Sequence, residues 1–303
     1  MTSDFLPPTG LTLVLGATGP VGAPLVHHLL NSGHRVRATS RRPELRATKM
    51  PGAEWVRWEA GDPRIPQSLV EGVERAFLLS PDEGGAPDEA LRPTVLALAE
   101  RPETRVVALT GMGPDTPPQQ PFRRLEAELH GRFEAVAVLR ANWFMQNLET
   151  YWLEEIRHAR TLSLPAADAS VSFVDTRDLA EAAARLLADG APTGTFTFTG
   201  PESLSFDEVA RRVSDAAQRT VIYRPVTDAE FRSGLAQVGF PPPAIDLLVA
   251  LFQDIRSGAL AEVSDDPMRI LGRPARSLDD YLEGRGEIWR AGEDDESGAG
   301  AQI

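Results

Sequence analysis

Short apolar runs alternate with helical patterns along the first half of the chain. Leu11–Leu15 is an apolar, β-favouring run. Val21, Leu25, Leu29 and Leu30 then repeat at helical spacing until Gly33 stops them. Further strands are predicted over 35–39, 54–58, 75–79, 105–109 and 135–139. Helical or turn segments separate them at 43–49, 66–72, 89–100 and 122–131. Strands that alternate with helices predict a parallel, doubly wound sheet of the Rossmann type, an α/β fold.

The second half is less regular. The segment 140–147 leaves the sixth strand and is expected to lead into a helix reaching about His158. Strands are predicted over 162–164, 171–174, 194–199 and 221–223. Thr176 is the expected N-cap of a helix over 177–187, with Asp178 in its first turn. Ser205 and Glu208 form a capping box ahead of a helix over 206–217. Two further helices are predicted over 228–238 and 244–257, around a Gly/Pro break. The expected division is a nucleotide-binding domain over 1–150, taking later strands from 170–200, and a smaller α/β substrate-binding cap over 151–290. The acidic, small-residue tail 291–303 is expected to be disordered.

The first strand and helix are joined by Gly16-Ala17-Thr18-Gly19-Pro20-Val21-Gly22. Glycines at this spacing, between a strand and a helix, open a dinucleotide-binding βαβ unit. Gly16 turns the chain off the strand, Gly19 admits a pyrophosphate to the backbone, and Gly22 lets the helix pack closely. The N–H groups and dipole of the first helical turn then face the phosphates. The second strand ends in Ser40-Arg41-Arg42, where an NAD-binding site keeps an acid for the ribose hydroxyls. Arginine there pairs with a 2′-phosphate and points to NADP(H). Ligands of such sheets sit beyond the carboxyl ends of the strands, which gathers Gly16–Gly22, Arg41, Asp62, Leu79, Ser80 and Thr110.

Composition narrows the field. The 303 residues, 42% hydrophobic and 25% charged, suit a globular protein with a substantial core. A formal charge of −13 argues against a nucleic-acid partner. Without cysteine there is no disulfide, thiolate nucleophile or Cys-based metal site. No two histidines have ligand spacing beside an acid, so no metal is expected. No apolar run reaches membrane-spanning length, and the expected location is cytoplasmic. The expected partner is a small-molecule substrate, with neither membrane nor nucleic acid involved. A homodimer is left open.

Eight stretches carry a family resemblance: residues 16–22, 38–43, 60–63, 123–129, 139–148, 174–180, 199–205 and 272–281. Through them the chain resembles the NmrA-like group of atypical short-chain dehydrogenase/reductases. The resemblance implies a Rossmann domain with a small C-terminal substrate domain. That group includes NAD(P)H-dependent quinone reductases, enzymes that reduce C=C or imine bonds in alkaloid pathways, and redox-sensing regulators that bind the dinucleotide without turnover. By resemblance, Gly16, Thr18, Gly19, Pro20, Val21 and Gly22 hold the pyrophosphate. Arg41, flanked by Ser40 and Arg42, takes the 2′-phosphate, and Asp62 lies near the adenine. Leu79, Ser80 and Thr110 line the path to the nicotinamide, and Asn142, Trp143 and Phe144 lie beside its ring.

The usual proton donor is missing. Short-chain reductases use a Tyr-x-x-x-Lys pair in which the lysine lowers the tyrosine's pKa. Four residues after Tyr151, Tyr223 and Tyr281 come Glu155, Thr227 and Arg285, and Lys49 is the single lysine. The family's lysine position falls on Phe122 and its tyrosine position on Pro118. Two substitutes remain. Thr110 stands where these reductases keep a serine and could orient a carbonyl, or could simply end its strand. Tyr151 could reach the substrate, or sit at the rim. Trp143, Phe144 and Met145 suit ordinary core packing or, for at least one of them, a wall for a flat apolar substrate, whereas Phe231, Leu251 and Phe252 read as the cap's own core. The expected activity is an NADPH-dependent reductase acting on a polarised acceptor such as a quinone, enone or imine, which needs mainly geometry and a dry site. The rival is a dinucleotide sensor without turnover.

Overall fold

The structure, a computed structural model, describes residues 10–80, 86–117 and 119–290. The expected acidic tail and Pro118 lie outside the described residues. The strands are β1 Leu11–Val14, β2 Arg35–Ser40, β3 Glu54–Arg57, β4 Val73–Leu79, β5 Arg105–Gly111, β6 Val136–Ala141, β7 Thr161–Leu164, β8 Ser170–Val171, β9 Gly194–Phe198, β10 Leu204–Ser205 and β11 Ile222–Pro225. The chain folds as two compact units. The first comprises 1–141, 176–198 and 264–275, and the second 142–175, 199–263 and 276–303.

The first unit is built on a seven-stranded sheet in the order β3-β2-β1-β4-β5-β6-β9. Every pairing in it is parallel. Leu11, Leu13, Ala76, Leu78, Val106, Ala108, Val136 and Val138 share one face with Leu91, Val95, Leu125 and Leu129 of helices Pro87–Leu98 and Gln120–Arg132. Their alternates Phe77, Val107 and Ala137 are equally buried. Both faces are therefore covered, which is why these strands are mostly apolar at successive positions and do not alternate with polar residues. Helices Gly22–Asn31 and Thr176–Leu186 pack together in the same unit. This is the doubly wound parallel sheet that the sequence predicts.

The second unit has two small sheets, β8 paired antiparallel with β10 and β7 parallel with β11. Helices surround them. The expected capping box at Ser205 and Glu208 is present, and two more open the helices Asp228–Gln237 (Thr227, Glu230) and Leu278–Leu282 (Ser277, Asp280). Each satisfies orphan N–H groups of a first turn.

One expected element is corrected. The run to His158 is not one helix but a 3-10 turn at Met145–Glu149 and a wide turn at Glu155–Ala159. The apolar spacing of Met145, Leu148, Trp152 and Ile156 is helical, and all four are buried. A tertiary bond breaks the ladder. The Trp289 indole N–H donates to the Leu148 carbonyl at 2.8 Å, and the Trp152 N–H donates to Asn147 O at 3.1 Å instead. Among the described residues, no helix is long and apolar enough to cross a membrane.

Candidate functional site

The strand order reverses between β1 and β4, so the carboxyl ends of these central strands border the switch point where such sheets bind ligands. The glycine turn leaves β1 there. Gly16 has a φ of +67°, a left-handed conformation that a side chain would strain. Leu79, at the end of β4, backs the turn, with its Cδ2 3.1 Å from where a Gly16 Cβ would stand. Gly22 is fixed more severely: a Cβ there would lie 2.1 Å from the Gly16 carbonyl oxygen. The Gly19 N–H donates back to Gly16 O at 3.0 Å, and a Gly19 Cβ would meet Gly16 O at 3.4 Å as its nearest neighbour. Gly19 is therefore not demanded by internal crowding, whereas Gly22 is. Val21 is buried and gives helix Gly22–Asn31 no side-chain cap, and its first turn holds no acid. Thr18 and Pro20 are exposed on the turn.

At the end of β2, the Ser40 hydroxyl accepts the Arg42 N–H at 3.0 Å. This turn leaves Arg41 and Arg42 exposed. Asp62 accepts the Arg64 N–H at 2.9 Å and its Nε at 3.2 Å. The backbone bond foremost, and then the side-chain bond, hold the Asp62 carboxyl below its ordinary range. Ser80 is half-buried just beyond β4.

Thr110 is buried near the end of β5 and donates its hydroxyl to Glu126 Oε1 at 2.8 Å. That carboxylate also receives Arg123 Nη1 at 2.6 Å and Arg140 Nε at 3.1 Å. Burial pushes the Glu126 pKa up, but hydrogen bonds from Arg140 and Thr110 and the Arg123 charge outweigh it and hold the group below the ordinary carboxylate value. Glu126 is thus a charged acceptor, and the Thr110 proton is committed to it. In this arrangement Thr110 has no proton to offer a carbonyl. Phe122, at the family's lysine position, packs beside Gly111, its Cε2 3.3 Å from an ideal Cβ there.

In the second unit, Asn142 is buried and fully used. Its Nδ2 donates to Ser172 Oγ at 2.7 Å and to Leu260 O at 2.9 Å, and its Oδ1 accepts the Trp143 N–H at 2.7 Å. Trp143 stacks on Trp152 at 5.9 Å and meets Phe252 edge-on at 5.0 Å. Phe252 also packs on Phe206 and Phe231; Trp152, Phe206 and Phe252 are buried in the unit's core, and Trp143 and Phe231 are half-buried beside them. Phe144 is half-buried and bridges to Val174. Tyr151 is 63% exposed.

The Glu126 cluster was missed in the sequence. The Arg123–Glu126 spacing is a readable helical pair, but Arg140 and Thr110 come from two different strands.

The profile of the NmrA-like family matches residues 8–96. A (4-alkanoyl-5-oxo-2,5-dihydrofuran-3-yl)methyl phosphate reductase of Streptomyces griseus is 30% identical over 277 residues, covering 89% of this chain and 96% of the relative. An NAD(P)H azoreductase of Xenophilus azovorans is 29% identical over 283 residues, covering 90% and 97%. Among solved structures, an NADPH-dependent quinone oxidoreductase of Escherichia coli complexed with NADPH superposes with a TM-score of 0.79 at 21% identity, covering 89% of this chain and 98% of that chain. From the glycine turn, the parallel sheet behind it and relatives matched along nearly their whole length, the chain belongs to the NmrA-like family.

Proposed function

We propose that the protein is an NADPH-dependent reductase that delivers hydride to a small conjugated acceptor (a quinone, enone or imine) without a Tyr-Lys pair. One observation carries the reading. An uncapped, acid-free helix N-terminus stands behind a glycine turn, with two exposed arginines closing the neighbouring strand where an NAD site would keep an acid. The residues fit a dinucleotide. Gly19 answers to an approaching ligand better than to internal packing. Gly16, Thr18, Pro20, Val21 and Gly22 complete the pyrophosphate turn. Arg41, with Ser40 and Arg42, faces the 2′-phosphate. Asp62 borders the adenine, and Leu79 and Ser80 the path beyond. When bound, the dinucleotide supplies the hydride.

With the Thr110 hydroxyl donating its hydrogen bond to Glu126, proton delivery falls to water or to the substrate on this reading. That favours acceptors already electrophilic enough to take hydride unaided. The activities for which the two relatives are named, on an azo compound and on an unsaturated lactone, support a conjugated acceptor. Phe144, half-buried just after β6, is the aromatic residue we assign to the flat substrate. The side chain of Asn142 shapes that segment rather than reaching a ligand. Tyr151 serves at most as a rim contact.

The test is nicotinamide fluorescence on titrating NADPH and then NADH, followed by quinones, enones, cyclic imines and azo dyes added to the NADPH complex. Tighter binding of NADPH with oxidation by one acceptor class supports the reading. Tight binding with no oxidation across the panel replaces it with the sensor.

A further inference from the structure

We propose, on the reading of the protein as a reductase, that Glu126 is a positioning residue that sets the segment Thr110–Gly113 at the carboxyl end of β5 through Arg123 and Thr110. Three elements of the first unit converge on this carboxylate: β5 through Thr110, helix Gln120–Arg132 through Arg123, and β6 through Arg140. The Arg123 guanidinium then turns its other edge to the segment. Its Nη2 donates to Gly111 O at 3.0 Å and to Gly113 O at 3.1 Å. A planar guanidinium with fixed donor directions transmits orientation from the carboxylate to both carbonyls.

The segment needs such a clamp. Gly111 and Gly113 bracket Met112, and Gly113 has a φ of +135°, so the backbone there is freer than a chain with side chains would be. A Cβ at Gly111 would stand 2.7 Å from Gln119 Oε1, so a side chain there would displace the end of Gln119. The Met112 N–H donates to Ala141 O at 2.8 Å and ties the segment to the end of β6. The segment therefore sits at strand ends that border the ligand side of the sheet. A buried ion cluster is a poor device for stability alone, because desolvation consumes much of its attraction. Its geometry here serves to hold two glycine carbonyls in place.

The experiment compares wild type with Glu126→Gln, Thr110→Val and Thr110→Ser. The readouts are amide hydrogen exchange of the peptide spanning 110–117, NADPH affinity by fluorescence, and kcat and KM with the best acceptor. Glu126→Gln is expected to speed exchange in this peptide by about tenfold, against little change in β1 and β4. It is expected to lower kcat by roughly tenfold to a hundredfold with NADPH affinity kept. Thr110→Val moves both in the same direction by a smaller factor, and Thr110→Ser, which keeps the hydroxyl, restores them. Wild-type exchange and wild-type kcat in Glu126→Gln overturn the proposal. So does loosening spread evenly over the unit with NADPH affinity lost in proportion. If Glu126→Gln does not fold, the threonine pair decides, and equal behaviour of Val and Ser overturns it. A wild type that reduces no acceptor removes the reductase reading instead, while the exchange data still decide whether Glu126 holds the segment.

Discussion

Arg273 places its Nη2 2.7 Å from Oδ1 of Asp178, a carboxylate 95 positions earlier in the chain and completely buried. The same guanidinium also pairs with Glu181 one turn on. An acid that the sequence assigns to a helix's first turn is therefore also the anchor of a late segment. Removing the arginine takes a guanidinium away from a buried carboxylate. Breaking such a pair costs more than forming it returns, because the desolvation of the remaining ion is no longer offset. Arg273 is one-third exposed, so the expected loss for Arg273→Met is about 2 kcal/mol, below the range for a fully buried pair. Urea denaturation measures it, and a change inside about 0.5 kcal/mol would show that solvent already screens the pair.

On the proposed reading, Arg41 selects NADPH over NADH. Arg41→Ala is expected to weaken NADPH by roughly tenfold to a hundredfold, the loss of one or two charge-assisted hydrogen bonds. NADH should bind as before. Fluorescence titration of both dinucleotides decides the point, and equal loss for the two would sink the 2′-phosphate assignment.

Gly22 and Gly19 separate packing from ligand approach. Gly22→Ala forces a methyl against the Gly16 carbonyl, where a Cβ would stand at 2.1 Å. The expected result is a loss of about 1–3 kcal/mol with the turn displaced and dinucleotide binding weakened. Gly19→Ala should be nearly neutral for thermal stability and still weaken the dinucleotide, because its added methyl meets the ligand rather than the protein. If both variants lose stability equally, Gly19 also has a packing role.

His34 should make stability depend on pH. Burial, first, and the nearby Arg75 charge hold its pKa below the ordinary value of 6.5. A histidine lowered in this way binds protons more readily unfolded than folded. Its neutral form is therefore cost-free above 6.5, and stability falls as pH drops below that value toward the folded pKa. His34→Gln should flatten the pH dependence of the denaturation midpoint below pH 6.5. An unchanged slope would assign the dependence to the carboxylates.

The β1 strand, its glycine turn and the helix behind it were legible in the sequence because each is local. Strand propensity, glycine spacing and helical period are set by neighbours within one or two turns. The parallel sheet followed from the alternation of such units, and the capping box at Ser205 and Glu208 from two residues three apart. Arg41 and Arg42 could be placed because a strand's end is fixed once the strand is.

What the sequence could not show depends on which distant residues meet. Thr110 looked like a candidate for orienting substrate, and the fold turns its hydroxyl onto Glu126, 16 positions away. Trp143 could be read as core or as a wall for substrate, and the fold leaves it half-buried with Trp152 and Phe252 packed against it. The run from Met145 to Ile156 carries a helical period, yet a tryptophan from 141 positions further on takes the Leu148 carbonyl and breaks the ladder. Local pattern sets what a segment can form. The competition for each hydrogen-bonding group and each apolar surface is settled by partners that arrive with the tertiary fold, and those partners here decide which polar side chains remain for a ligand.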